Sequence, residues 1–171
     1  MTADDLAPGD VIFVHGTGIL DRAIQIAQAP RYGWPRADRP SWWNHAAMVV
    51  SDTQVIEARA SGIQLWSLGD EDWTTRKVVR PPYQPGHAAE AVAAIRGLGG
   101  ERYGFLSILS EAFISLGLPL VFGLAHQEIC SGAVAYALTR ANIDLGDDEE
   151  WIRPAGLFAA ISHVDGVTLV S

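Results

Sequence analysis

The chain has one cysteine among its 171 residues. It therefore forms no internal disulfide, and its fold does not depend on an oxidising compartment. The opening Met1-Thr2-Ala3-Asp4-Asp5-Leu6 is acidic and lacks the basic and apolar regions of a signal peptide. Cytoplasmic residence is the default expectation. Positive charge is scarce, with 12 Lys+Arg against 20 Asp+Glu and a formal net charge of -8. Such a balance argues against a nucleic-acid partner, or an anionic membrane surface, held by bulk electrostatics. HExxH and paired Cys/His spacings are absent, so no catalytic zinc site and no cofactor is expected. Gly97-Leu98-Gly99-Gly100 follows a helical pattern and reads as a C-cap, not as a phosphate loop. The acidic run Asp144 to Glu150 lacks the alternating ligand spacing of a calcium loop and reads as solvated. No repeat or low-complexity tract is present.

What the chain does have is apolar content of 49%, enough for one compact domain over 1–171. Pro8-Gly9-Asp10 launches a strand through Val11 to Val14, closed by His15-Gly16-Thr17-Gly18. Ile19, Ala23, Ile24, Ile26 and Ala27 fall near helical spacing, and Pro30 is expected to stop that helix. Strand-like runs follow from His45, over Val55 to Ala58, Ile63 to Leu68 and Lys77 to Arg80, as an antiparallel meander. A helix is predicted from Pro85 to Gly97. The apolar stretch Phe105 to Ala125 is nearly long enough for a bilayer, but Glu111 and Pro119 favour a buried or partly interfacial helix pair. The class is α+β.

Chemistry points to three residues. Cys130 in Ile129-Cys130-Ser131-Gly132 opens an apolar helical run, and a thiol at a helix N-terminus is favoured as thiolate by the dipole and free N-H groups. His45 in Asn44-His45-Ala46-Ala47-Met48 begins a strand and is the candidate base. Glu57 in Val55-Ile56-Glu57-Ala58 is a carboxylate in an apolar strand, costly to bury without a partner. If these two strands are antiparallel neighbours, the carboxylate orients the imidazole. Each residue also has a plain structural reading: the thiol as a small core residue, the histidine as a hydrogen-bonded strand start. Tyr32, Trp34, Trp42 and Trp43 precede His45, and they either wall a substrate cleft or cap the core. His15 follows the first strand and is a further candidate for the cleft.

The order Gly9-Asp10-Val11-Ile12-Phe13, Asn44-His45-Ala46-Ala47-Met48-Val49-Val50, Val55-Ile56-Glu57-Ala58 and Ile129-Cys130-Ser131-Gly132 resembles the circularly permuted, YiiX-like branch of the papain-like NlpC/P60 superfamily. In that branch the histidine strand precedes the cysteine helix. At Gly132 the chain follows the unpermuted Cys-Ser-Gly pattern, where permuted relatives more often carry glutamate. The resemblance implies a papain-like fold with the antiparallel sheet first and the helices after. It also implies a cysteine hydrolase cleaving an amide through a thioester, with Cys130 as nucleophile, His45 as base and Glu57 as third residue. Tyr103 would stand where relatives place an oxyanion-hole tyrosine, the backbone N-H of Cys130 being the other donor. A cell-wall peptide fits the superfamily at large, and its cleavage would require lysis or a phage particle. The alternatives are a lipid-directed acyltransferase or esterase, and a binding module without turnover. No oligomeric state is implied.

Overall fold

A computed structural model describes residues 5–59, 62–69, 73–98, 125–146 and 153–170. The expectations for Tyr103, for most of the apolar stretch 105–125 and for the end of the acidic run fall outside these residues. Strands β1 (Val11–Val14), β2 (His45–Ser51), β3 (Gln54–Arg59), β4 (Gly62–Ser67), β5 (Arg76–Arg80) and β6 (Thr168–Val170) form one antiparallel sheet in the order β4-β3-β2-β1-β5-β6. The described helices are α1 (Ile19–Tyr32), α2 (His87–Leu98), α3 (Ala125–Arg140) and α4 (Pro154–Ser162). None of them is long and apolar enough to cross a membrane.

The α+β class follows directly from this element order. Sheet and helices interleave more than a sheet-first order implies, because α1 separates β1 from β2 and β6 joins the far edge after α4. Strand alternation divides the core. Val11, Phe13, Ala46, Met48, Ile56 and Val79 pack with Val134, Leu138, Leu157 and Ile161 of the helices. Ile12, Ala47, Val49, Val55 and Val78 form a second cluster with Leu6. The unbroken apolar run of β2 reflects burial on both sides, which an alternating strand would not need. Helix α3 lies over β2 and β3 and against α2, and so carries its residues to the strands of the candidate site.

Helix α1 departs from expectation twice. It runs two residues past Pro30, which cannot donate to the Ile26 carbonyl and so removes one bond of the ladder without ending the helix there. Its apolar residues also divide: Ile24 is buried beside Gln25 and Gln28, whereas Ile19, Ala23, Ile26 and Ala27 face solvent. The glutamines are accommodated because their partners are fixed. Gln28 accepts from the Ala155 N-H at 2.8 Å and donates to the Trp43 carbonyl at 3.2 Å, tying α1 to the start of α4 and to the approach to β2.

The turn before β1 depends on Gly9, at φ +97°, where an added Cβ would lie 2.8 Å from the ring of Tyr83. Tyr83 in turn donates its hydroxyl to the Gly9 carbonyl at 2.9 Å. Gly9→Ala is expected to lower stability by at least about 1–2 kcal/mol from backbone strain alone, with a further loss from the displaced Tyr83. A thermal melt unchanged from wild type would contradict this account.

Candidate active site

His45 is the first residue of β2, paired with Val14 of β1, and the β2–β3 register sets Glu57 opposite Ala47, two residues further along β2. The two side chains meet diagonally, with His45 Nε2 donating to Glu57 Oε2 at 2.6 Å. Glu57 is buried, and the ion pair gives its carboxylate the partner that burial demands. Cys130, from α3, hydrogen-bonds the same imidazole. Burial works against a charged ring here, but the charge and hydrogen bond of Cys130, then those of Glu57, outweigh it and push the His45 pKa up to about 10. At neutral pH the ring is an imidazolium held between a sulfur and a carboxylate.

Three residues far apart in sequence are thus brought together, by one strand pair and one helix. The helix contributes differently than its sequence suggests. Since α3 starts at Ala125, Cys130 lies beyond its first turn. Its backbone N-H belongs to the helical ladder and is no free oxyanion donor, and the dipole effect is confined to the first turn. His45 and Glu57, not the helix end, supply the charge environment of the sulfur. The thiol is fully buried, beside Ala133, Ile63 and Leu98, while the His45 side chain is 22% exposed.

The aromatics before His45 divide. Trp43 is a core residue, packed at 5.8 Å from the Phe158 ring. Trp42 is half-buried and stacks on His15, centroids 3.6 Å apart and planes within 5°. Gln25 Nε2 lies 2.7 Å from the Trp42 carbonyl and 2.7 Å from His15 Nδ1. His15 Nδ1 also lies 3.1 Å from the same carbonyl, so the ring, the Gln25 amide and the Trp42 backbone form one polar cluster. Asn44, buried and adjacent to His45, exchanges two hydrogen bonds with the backbone of Gly16, each 3.0 Å, and its own N-H donates to the Val14 carbonyl at 3.1 Å. These contacts pin the chain on either side of His15 to the residue preceding the base. Sequence reasoning gave Asn44, Gln25 and Gln28 no role; the available signal was polar residues set at apolar-face spacing.

Among the described residues no group of three or more His, Cys, Asp or Glu is placed to hold a metal ion. A separate concavity of about 700 Å³ lies between α2 and α3, lined by Glu90, Ala94, Leu98, Tyr136 and Arg140, and none of the candidate site residues borders it.

No protein-family model matches the sequence, and no curated protein matches it.

Proposed function

We propose that this protein is a cysteine hydrolase of the permuted papain-like kind, acting on an amide bond such as that of a cell-wall peptide. The observation that carries the reading is the single imidazole of His45, engaged by Cys130 and by Glu57 at 2.6 Å. In the reaction the thiolate of Cys130 attacks the carbonyl carbon, and the His45 imidazolium gives its proton to the leaving amine as the C–N bond breaks, leaving a thioester. Water then attacks the thioester while His45 takes a proton from it. The acid departs, and the sulfur leaves as thiolate. Glu57 holds the ring in one orientation and stabilises its charged form throughout. On the same residues an alcohol or amine in place of water gives the acyltransferase alternative.

The enclosure of the sulfur favours a second reading, a scaffold that binds without turnover. Native-state labelling separates the two, and with one cysteine in the chain any thiol adduct reports on Cys130 alone. Iodoacetamide is expected to modify the folded protein, and an activated acyl ester to leave a hydroxylamine-sensitive adduct that Cys130→Ala does not form. Absence of both adducts from a natively folded sample would overturn the hydrolase reading.

A further inference from the structure

Helix α1 is built inside out. Its inner face holds Ile24, Gln25 and Gln28, the amides satisfied as described above, while Ile19 is 93% exposed and Ile26 53%. The helical period sets Ile19, Ala23, Ile26 and Pro30 in one line along the outside, with Arg22 on one edge and Ala27 and Arg31 on the other. Just past its C-terminus stands Trp34, 68% exposed, followed by Arg36 and Arg39. A soluble helix normally shows the reverse pattern, and an exposed apolar stripe of this kind marks a surface that something covers.

The charges around the stripe identify the occupant. The protein is acidic overall, yet residues 19–40 carry four arginines against Asp21 and Asp38. Asp21 accepts the Gly18 N-H at 3.0 Å, and Asp38 pairs with Arg36 at 3.2 Å and Arg39 at 3.7 Å, so four arginines against two aspartates leave this segment a surplus of two positive charges. An apolar line edged by arginines, with a tryptophan at its end, matches the layered chemistry of a bilayer interface. There the aliphatic groups enter the acyl boundary, the indole sits at headgroup level and the guanidinium groups rise on their stems to lipid phosphates. The overall charge of -8 opposes this only at distances where charges sum; at contact, within a Debye length, the local arginines decide.

We infer that the outer face of α1, with Trp34, seats this protein on an anionic lipid surface. The helix lies in the interface without crossing it. Through Gln25 and Gln28 its inner face holds the Trp42–Trp43 segment that leads to His45, so the same helix sets the side on which the candidate site meets the membrane. The inference stands apart from the hydrolase reading: Cys130→Ala is expected to bind vesicles as wild type does.

Co-sedimentation of the full chain with vesicles of phosphatidylcholine, with and without phosphatidylglycerol, tests it. Binding is expected to be on the order of tenfold stronger to the anionic vesicles, an advantage that high salt removes. Ile19→Ser with Ile26→Ser should abolish binding to both vesicle types, and Arg22→Gln with Arg31→Gln should erase only the anionic preference. These side chains are exposed, so the thermal midpoint of each variant should stay near wild type. Trp34→Phe offers a second readout, since its loss should remove a blue shift of tryptophan emission seen when vesicles are added. Failure of the wild-type chain to sediment with anionic vesicles overturns the inference. So does binding unaffected by the paired serine substitutions. A wild-type dimer in solution that the serine substitutions dissociate would assign the stripe to a second copy of the chain and overturn it as well.

Discussion

His45→Ala is expected to slow alkylation of native Cys130 at neutral pH by about 100-fold, within the range by which an adjacent cation favours a thiolate over a thiol. Removing the partly exposed ring beside the buried thiol can only widen access to it, so a slower rate in the variant reports on lost activation of the sulfur. His45 is raised to about 10 by Cys130 and Glu57 against the opposing effect of burial. A folded-state value above the unfolded one means that the imidazolium stabilises the fold. That contribution is complete below the unfolded value of 6.5 and is lost as pH rises through about 10. Wild-type stability should therefore fall across this window, and His45→Ala should flatten that part of the profile. Glu57→Gln keeps a hydrogen bond but removes its charge, a loss of about 1–2 kcal/mol, and should slow alkylation roughly ten-fold while moving the alkaline limb of the stability profile to lower pH. If His45→Ala alkylates as fast as wild type, the sulfur and imidazole do not act as a pair.

How much of this was legible in sequence depended on how local each signal was. Short apolar runs and turn residues announced β1 to β5, because a strand and its Gly or Asp turns lie within a few residues. The link from His45 to Glu57 was readable for the same reason, since a short turn between two strands leaves few registers. The contribution of Cys130 was visible as a residue type but not as a position: its helix begins at Ala125, and nothing between 125 and 130 resembles a cap. Trp42 and Trp43 are consecutive, yet one ends a 3-10 turn and stacks on His15 while the other enters the core. Composition treats them alike. Helix α1 was legible as a helix but its buried side was not, because apolar spacing marks that side only where polar groups on the other side have no partners inside. Gln25 and Gln28 find theirs in a loop and in α4, contacts that no local pattern encodes. For α4 a local signal did exist, Pro154 at the first helical turn before an apolar run.

Arg80→Leu is expected to be the most destabilising single substitution outside the apolar core, by about 3 kcal/mol, or roughly 10 °C in thermal midpoint. Arg80 donates from Nε to Asp10 Oδ1 and from a terminal nitrogen to Asp10 Oδ2, both at 2.8 Å, and reaches the Asp5 carbonyl at 3.0 Å. Its pKa is raised above the ordinary value chiefly by the hydrogen bond to Asp10. The two ends of the pair differ in burial: Arg80 is 41% exposed and Asp10 1%. Removing the arginine leaves a buried carboxylate with, among the described residues, the Ala7 N-H at 2.9 Å for compensation, whereas Asp10→Asn leaves a guanidinium that water can reach, a loss of about 1–2 kcal/mol. The asymmetry is the diagnostic, and equal losses for the two variants would mean that the carboxylate is not held out of water. The effect extends to the candidate site, because the Asp10 carbonyl accepts the Val49 N-H at 2.8 Å and so anchors the strand that begins with His45. Arg80→Leu should therefore depress Cys130 alkylation only near its own unfolding transition. The His45→Ala defect, by contrast, should persist at temperatures where that variant is fully folded, which separates loss of the scaffold from loss of the base.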